Sequence, residues 1–393
     1  TYLSSNATIS NLVAATPLEN TDHFLQLLLD RPYEDNLSRI LTLYSARNDI
    51  PVDRGQMFDH NPQLCQVWYS SYFRNYTQIA GRQSLQHLRE HLLYQHPKLK
   101  TYYWTEDLYY GATYADQRND RDLKLRINQA LQAPALSPTY ENEPGRDQRG
   151  RPKVAVFSDL WFKKHSVYRN QSEFITSLKD DYHVTLIHTP NARNPDLEMF
   201  DEVICLPMQG QEISFEPILK NDFTVFYLPD VGMNEPSIRL ANHRVAPVQM
   251  CGVGHSVSTF GAHIDYYISG ADVEPPQGAE NNYSERLVML PGYGIVHNPI
   301  SYERQTNRAP EQDEVLINCP WTAQKTNFEI LELLAMIAEQ AGRPLKYRFF
   351  PGGTAARFNG QIPFRKDIGR VLRKENFVVF HPMAYDAYMA EME

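Results

Sequence analysis

The chain has 393 residues, of which 42% are hydrophobic and 22% are charged, and its formal net charge at pH 7 is −9. This composition is typical of globular proteins and excludes wholesale disorder, and the length suffices for two or three domains with separate cores. The acidic balance argues against nucleic acid as the main partner, because neutralising phosphates requires a basic face.

The four cysteines are scattered without a Cys-x-x-Cys pair, which indicates free thiols in a reducing compartment rather than disulfides or a metal site. No apolar run reaches the roughly 18 residues that a membrane-spanning helix needs, and no signal peptide opens the chain. The sequence therefore predicts a soluble, cytoplasmic protein without a membrane span. The chain begins with Thr1 and not with methionine, so a removed leader stays an alternative.

Residues 1–136 show helical periodicity, which predicts an all-helical domain. Apolar side chains recur at i, i+3 and i+4 spacing in HFLQLLLD, LSRILTLYSA, SLQHLREHLLYQ and LKLRINQALQA. The aromatic-rich runs QVWYSSYFRNY and LKTYYWTEDLYYGATY are interpreted as packing segments, with stacking on a sugar or peptide as the alternative. The polar run SPTYENEPGRDQRGRP breaks this periodicity and predicts a linker over residues 137–152.

From residue 153 onward, apolar strands alternate with helices. KVAVFSDL, YHVTLIHT, EVICLP, FTVFYLP, APVQMCGV and IDYYIS are predicted strands, and SEFITSLKDD is a predicted helix. This alternation predicts an α/β domain over residues 153–312, with a mostly parallel sheet covered on both faces. A second α/β domain is predicted over residues 313–393, from the strands EVLINCP, PLKYRFFP and NFVVFHP and the helix NFEILELLAMIAEQAG.

A glycine-rich loop follows the strand APVQMCGV and carries His255 and Ser256. The run RVAPVQ, residues 244–249, precedes it, and the strand IDYYIS follows it. A strand that ends in glycines and small hydroxylated residues lets the polar groups of a ligand approach the backbone closely. The loop is therefore a candidate ligand site, although a Gly-His pair by itself is equally compatible with a structural role.

The loop after the first strand reads WFKKHSVYRNQS, residues 161–172, and contains His165, Tyr168 and Arg169. Ligands of open α/β sheets bind outside the carboxyl ends of the strands, where this loop must lie. A histidine at that place is able to polarise an amide or to donate a hydrogen bond to a phosphate. The alternative is a surface histidine that caps the following helix.

Another candidate site follows the strand EVLINCP, where residues 321–327 read WTAQKTN. Thr326 and Glu329 have the spacing of a capping box, so a helix is predicted to begin there. The unpaired amides and the positive dipole end of a helix favour a phosphate, and Lys325 adds a full charge directly before this cap. The alternative is a solvated lysine.

The last motif is FHPMAYDAY, which follows the final predicted strand and contains His381 and Tyr385. Its position after a strand again favours a ligand site, whereas its tyrosines are also interpretable as packing residues. The sequence contains neither the H-E-x-x-H zinc motif nor the G-x-x-x-x-G-K-[ST] phosphate loop. No metal site is therefore predicted.

Together these motifs resemble the bacterial cytoplasmic protein N-glycosyltransferases that modify high-molecular-weight adhesins and, more distantly, the O-linked N-acetylglucosamine transferases. RVAPVQ, GHSVST and IDYYIS carry the resemblance, and TAQKTN and HPMAYDAY match further family segments. WFKKHSVYR is similar to the family's G-H-S-x-Y-R segment, with Lys164 in place of the glycine. The resemblance implies an α/β fold of the glycosyltransferase B type, with two Rossmann-like domains that bind the donor nucleotide between them, preceded by an all-α N-terminal domain.

The resemblance also implies an inverting enzyme that moves a hexose from a UDP-sugar to asparagine side chains in Asn-x-Ser/Thr sequons of proteins such as bacterial adhesins. His165 and Lys325 match positions that it implies are catalytic. The residues that it implies bind the donor are Tyr168, Arg169, His255, Ser256, Thr322, Gln324, Asn327, His381 and Tyr385. It implies no cofactor and no metal ion beside the UDP-hexose donor, and it implies that the helical domain helps to form the acceptor groove.

Two alternatives stay open. A relative that acts on Ser or Thr hydroxyls, or on another acceptor, would carry the same residues. The other alternative is a non-catalytic fragment or binding module, because the family's later N-P-F-P-F-G-N-T-N-G loop is not present before Glu393. The second α/β domain, residues 313–393, is accordingly expected to be the start of a longer domain.

Overall fold

A computed structural model describes residues 2–74, 81–115, 120–132, 145–209, 212–255, 257–298, 302–303, 314–352 and 361–393. The chain forms two compact units. The continuous unit comprises residues 121–300, and the discontinuous unit combines residues 1–120 with residues 301–393. The N-terminal helices therefore share a compact unit with the C-terminal strands.

The helices of the described residues agree with the periodicity of the sequence, which placed apolar side chains on one face of each segment. None of them is long and apolar enough to cross a membrane. The α-helices are α1 (Asn6–Ala15), α2 (Asp22–Leu29), α3 (Tyr33–Leu43), α4 (Arg54–His60), α5 (Pro62–Ser71), α6 (Arg82–Leu93), α7 (Thr105–Ala115), α8 (Asp120–Leu131), α9 (Ser166–Ser177), α10 (Glu216–Leu219), α11 (Glu235–Ala241), α12 (Phe328–Gln340), α13 (Gln361–Val371) and α14 (Tyr385–Met392).

The strands coincide with the short β-branched and aromatic runs of the sequence, which favour extended backbone on a half-buried surface. They are β1 (Lys153–Phe157), β2 (His183–His188), β3 (Glu202–Cys205), β4 (Met208–Gln209), β5 (Glu212–Ile213), β6 (Val225–Leu228), β7 (Val248–Cys251), β8 (Tyr266–Gly270), β9 (Arg286–Leu290), β10 (Val315–Cys319), β11 (Leu345–Phe349) and β12 (Phe377–Val379).

The continuous unit is built around a seven-stranded sheet in the order β3-β2-β1-β6-β7-β8-β9. Every pair of neighbouring strands in this sheet is parallel. β1 has β2 on one side and β6 on the other, so the strand order reverses at β1. Ligands of open α/β sheets bind at such a reversal, outside the carboxyl ends of the strands.

Both faces of this sheet are covered, because successive residues of its central strands enter two different cores. Ala155 and Phe157 belong to one cluster of buried apolar residues, and Val156 between them belongs to the other. Sheets with both faces buried need nearly continuous apolar strands, and β1, KVAVF, has that sequence. The expected two-sided parallel sheet is confirmed.

The discontinuous unit contains α1–α7 and a three-stranded sheet in the order β10-β11-β12, in which both pairs are parallel. α12 and α13 cover this sheet through a core that includes Leu331, Leu334, Phe364 and Ile368. The four elements expected after residue 313 are all present at the expected places. The fold class expected from the sequence, α/β with helices before two parallel sheets, is confirmed.

Charged side chains join the N-terminal helices to α12 and α13 within this unit. Arg47 and Asp367 form an ion pair of 2.8 Å, and their side chains are only 1% and 5% exposed. The Nζ of Lys366 donates to the carbonyl of Ala14 at 3.2 Å and to that of Thr16 at 2.6 Å. Removing one partner of a buried ion pair strongly destabilises a folded protein, because the other charge is left buried and unpaired. The stability of this unit therefore requires both chain segments.

Three features of these elements differ from the expectations, one of them the unpredicted antiparallel strands β4 and β5. α9 begins at Ser166, six residues before the predicted segment SEFITSLKDD, because the polar run SVYRNQ gives no apolar period. β9 was not predicted, since its run RLVML lies at the edge of the sheet and is only partly buried. The four cysteines are free thiols, and Cys205 is exposed whereas the other three are buried.

Candidate functional site

Polar side chains gather at the reversal of the seven-stranded sheet. Ser158 and Asp159 follow β1, and Asp230 follows β6, which neighbours β1. The Oγ of Ser158 donates to Oδ2 of Asp230 at 2.7 Å. The backbone nitrogen and hydroxyl of Thr189 both donate to Asp159 at 2.7 Å, which occupies both oxygens of that carboxylate.

Asp230 is a buried carboxyl at this reversal that the sequence did not single out as a site residue. Its side chain is 0% exposed, and among the described residues none donates a hydrogen bond to its Oδ1. Burial raises the pKa of Asp230 to about 7, and the nearby Asp159 adds to that rise. The carboxyl is therefore partly protonated at neutral pH. A charged residue directly after the apolar run FYLP was the available signal.

His165 forms the N-cap of α9. Its Nδ1 accepts a hydrogen bond from the backbone nitrogen of Val167 at 3.2 Å. Burial lowers the pKa of His165, so the ring is neutral at pH 7. Because Nδ1 accepts, the ring proton lies on Nε2, which is left to donate to a ligand. The capping role and the ligand role are thus compatible in one residue.

Tyr168 and Arg169 lie in the first turn of α9. The Tyr168 hydroxyl donates to Oδ2 of Asp196 at 2.8 Å, and its ring packs edge-on against Trp161 in the core. Burial raises the pKa of Tyr168 to about 12. Arg169 is half-buried, and its carbonyl accepts from the nitrogen of Asn298 at 2.9 Å. No hydrogen bond or ion pair links its guanidinium to another residue that the structure describes.

The glycine-rich loop after β7 is packed directly against the loop after β6. A Cβ at Gly254 would lie 1.9 Å from the carbonyl oxygen of Pro229, so only glycine fits there. His255 is 4% exposed, and its carbonyl accepts from the Tyr267 hydroxyl at 2.9 Å. Ser256 lies outside the described residues. Of the residues predicted in this loop, His255 is therefore held close to the reversal of the sheet.

In the discontinuous unit, three polar atoms around Lys325 are buried without a hydrogen-bond partner among the described residues. They are Oγ1 of Thr322, Oε1 of Gln324 and Oγ1 of Thr326. Buried polar groups in proteins are nearly always hydrogen-bonded, so such a cluster indicates a place for an additional donor or acceptor. The segment 322–327 is thus a better candidate for binding a polar ligand than its sequence alone indicated.

Lys325 ends a short 3-10 helix, Ala323–Lys325, and its side chain is exposed. Its Nζ lies 5.5 Å from the centroid of the Tyr114 ring. A cation over an aromatic face is held there by the negative potential of the ring. The ammonium group is therefore positioned close to the orphaned polar atoms while it stays accessible.

Asn327, and not Thr326, caps α12, so the expected capping box is wrong. Oδ1 of Asn327 accepts from the nitrogen of Ile330 at 3.0 Å, and its Nδ2 donates to the carbonyl of Tyr114 at 3.0 Å. An asparagine can make both bonds because its amide has an acceptor and a donor. Glu329 instead forms a bidentate pair with Arg89, at 2.8 and 2.9 Å.

His381 and Tyr385 follow β12, and both side chains are exposed. His381 lines a cavity of about 730 Å³ together with basic residues of α13, among them Arg365 and Arg370. β10 and β12 both pair with β11 in parallel, so His381 and the segment after β10 that carries Lys325 lie at the same carboxyl edge of this sheet. Within the described ranges, no three His, Cys, Asp or Glu side chains are grouped so as to hold a metal ion.

The chain is similar to two curated proteins, both named UDP-glucose:protein N-beta-glucosyltransferase, from Actinobacillus pleuropneumoniae serotype 5b (strain L20) and serotype 7 (strain AP76). Each is 24% identical to it over an alignment of 378 residues, and the match covers 87% of this chain and 59% of the relative. The chain thus spans less than two thirds of the length of these relatives. No protein-family model matches the chain.

Among solved structures, a mutant of the O-GlcNAc transferase of Thermobaculum terrenum has a TM-score of 0.59 to this protein at 18% sequence identity. The match covers 94% of this chain and 76% of the other. At that identity the likeness shows the fold, and it confirms the glycosyltransferase B type expected from the sequence. The resemblance to the protein N-glycosyltransferases that the sequence motifs indicate is supported by these two curated relatives, at 24% identity.

Proposed function

We propose that this protein transfers a hexose from a UDP-sugar to asparagine side chains in Asn-Xaa-Ser/Thr sequons of proteins, bacterial adhesins among them. The observation that carries the proposal is the start of α12, where Lys325 is accessible beside three buried polar atoms that lack partners among the described residues. The names of the two curated relatives support a UDP-glucose donor and a protein acceptor.

In this proposal the diphosphate of the donor binds at the start of α12. A helix of 13 residues presents partial positive charge at its N-terminus, and Lys325 adds a full charge. Both charges stabilise the negative charge that develops on the UDP oxygen as the bond to the sugar breaks. Thr322 and Gln324 complete the site with their buried oxygen atoms, which have no hydrogen-bond partner in the part of the chain that the structure describes.

His165 is assigned to the reacting groups because its Nε2–H is a neutral donor. The acceptor nitrogen attacks C1 of the hexose, the bond from C1 to the UDP oxygen breaks with its electron pair going to that oxygen, and one amide proton passes to water. Attack from the face opposite the departing UDP inverts the configuration at C1. A neutral histidine is suited to donate a hydrogen bond to the donor phosphate or to polarise the acceptor amide.

The test is incubation of the purified chain with UDP-glucose and a short Asn-Xaa-Thr peptide, followed by mass spectrometry. The proposal predicts a gain of one hexose that fragmentation locates on asparagine, and no gain on a peptide with Gln in place of Asn. A hexose on the Thr hydroxyl would instead establish a Ser/Thr transferase. Binding of UDP without any transfer would indicate a binding module.

A further inference from the structure

A cavity of about 600 Å³ lies in the continuous unit, at residues that follow β7 and β8. Val253 and Val257 line it from the loop after β7, and Val273 lines it from the segment after β8. Tyr267, Tyr283 and Tyr293 also line it. Its volume lies within the range of about 300 to 1,000 Å³ that is usual for small-molecule pockets.

One carboxylate, that of Glu274, lies in this largely apolar lining. The hydroxyls of Ser269 and Tyr283 donate to its Oε1 at 2.6 and 2.5 Å. Across the described chain, no residue donates a hydrogen bond to Oε2, and no cation pairs with Glu274. Two hydroxyls therefore fix the orientation of the carboxylate and leave one oxygen for a ligand. A carboxylate in an apolar cavity is strongly favoured to accept an N–H or O–H bond.

Two side-chain amides, those of Asn170 and Asn282, line the same cavity. An amide offers N–H donors, so the lining combines a strong acceptor with neutral donors. That combination is complementary to a carboxamide, which carries N–H groups and a carbonyl oxygen on one carbon. A lysine or arginine side chain has N–H donors but no acceptor, so it would leave the N–H groups of the two amides without a partner.

The lining residue Asn170 belongs to α9, the helix that His165 caps. Asn170 stands five residues after the cap at His165, which corresponds to about 7.5 Å along a helix that rises 1.5 Å per residue. Five residues also turn about 140° around the axis, so the side chains of His165 and Asn170 lie on different faces of α9.

We propose that this cavity receives the asparagine side chain of the acceptor peptide, and that Oε2 of Glu274 accepts a hydrogen bond from its amide nitrogen. This inference rests on the proposed function and extends it to the acceptor. Glu274 here holds and orients the amide, and the apolar rings exclude water from it.

The first experiment measures binding of an Asn-Xaa-Thr peptide to the full chain by calorimetry, in the presence of saturating UDP. Glu274→Gln keeps the oxygen that Ser269 and Tyr283 need but places an N–H₂ group against the N–H₂ group of the peptide. We expect peptide binding to weaken by about tenfold to hundredfold, as for loss of a hydrogen bond to a charged group, with UDP binding and melting temperature unchanged. Glu280→Gln, at an exposed carboxylate nearby, is the matched control and is expected to bind like the wild type.

A second peptide distinguishes a change in recognition from misfolding of the Glu274→Gln variant, because a misfolded variant would not gain binding. A peptide with Asp in place of Asn brings a second carboxylate to Glu274 and is expected to bind the wild type poorly. The Gln variant donates an N–H to that carboxylate, so it is expected to bind the Asp peptide more tightly than the wild type does. Val273→Trp, at a side chain that is 52% exposed, fills the cavity without touching the bonds of Glu274 and is expected to abolish binding of both peptides.

The outcomes separate this inference from the proposed function. Unchanged peptide binding in Glu274→Gln and Val273→Trp overturns the inference, even if the wild type transfers hexose to asparagine. Equal binding of a peptide with Ala in place of Asn also overturns it, because the amide is then not what the cavity recognises. Binding that depends on Glu274, in a wild type that transfers no hexose, supports the acceptor cavity and overturns the proposed function.

Discussion

α9 and α12 both begin with a residue that the sequence assigned to a ligand, but the two caps leave different atoms available. His165 uses Nδ1 for the cap of α9 and keeps Nε2–H. Asn327 uses Oδ1 for the cap of α12 and gives its Nδ2 to the carbonyl of Tyr114. A capping side chain can serve a ligand only when it has a further polar atom that the fold does not use. At α12 the binding capacity therefore lies in the residues before the cap.

The largest expected effect concerns Lys325, which supplies the charge that Asn327 does not. Lys325→Ala is expected to lower kcat for hexose transfer by about 100-fold to 1,000-fold, as for loss of one donor to a developing negative charge. Lys100→Ala, at another exposed lysine of the same unit, is the control and is expected to leave kcat unchanged. Steady-state transfer to the Asn-Xaa-Thr peptide measures both. Near-normal kcat in Lys325→Ala would show that this lysine is a solvated side chain without a role in transfer.

His165→Asn tests whether the cap and the ligand role of α9 are separable. Asparagine caps as well as any residue, so the melting temperature is expected to stay within about two degrees of the wild type or to rise. The imidazole N–H is lost, so the transfer rate is expected to fall about 100-fold. Thermal unfolding and transfer assays are run on the same preparation. Full activity in this variant would show that His165 is only a cap.

The two bonds of Asn327 are separable by comparing two substitutions. Asn327→Ala removes both the cap and the bond to Tyr114 and is expected to lower the free energy of unfolding by about 2 kcal/mol. Asn327→Asp keeps a capping oxygen and loses only the bond to Tyr114, so a decrease of about 1 kcal/mol is expected. Denaturant titration gives both values. Equal values for the two variants would mean that the bond to Tyr114 contributes all of the stability at this position.

The smallest expected effect is a pH dependence that α9 has and α12 lacks. Burial lowers the pKa of His165 in the folded state, so acidification adds a proton to the unfolded chain first. The contribution of neutral His165 to the free energy of unfolding is complete above the pKa of histidine in the unfolded chain, about 6.5. It is lost as the pH falls through the lower pKa of His165 in the folded protein. Between pH 7.5 and pH 5, the free energy of unfolding of the wild type is expected to fall by about 1 kcal/mol at most relative to that of His165→Asn. Parallel stability curves for the two proteins would contradict this.

The sequence predicted those parts of the fold that depend on local pattern. β10, α12, β11 and β12 occur at the expected places because their apolar runs are continuous or have a clear helical period. The prediction of Thr326 as the cap of α12 was wrong because Thr326 and Asn327 are both good capping residues. The carbonyl of Tyr114, more than 200 positions away in the sequence, favours Asn327 by accepting a hydrogen bond from it.

The residues of the candidate site were predicted where a strand end or a helix start marked them, as at His165 and Lys325. Glu274 and Asp230 were missed for a different reason. Glu274 becomes notable only through Ser269 and Tyr283, which no periodic pattern connects to it. Asp230 becomes notable through its burial and its bond to Ser158, which comes from another strand.

The buried pair of Arg47 and Asp367 has a consequence for synthesis of the chain on the ribosome. Its partners are 320 positions apart, and at about 5 to 20 residues per second the second follows the first by some tens of seconds. Residues 121–300 form a continuous unit and can fold during that interval, whereas the N-terminal helices wait with the charge of Arg47 unburied. The nascent N-terminal segment is therefore the part of this protein most exposed to chaperones and proteases before synthesis is complete.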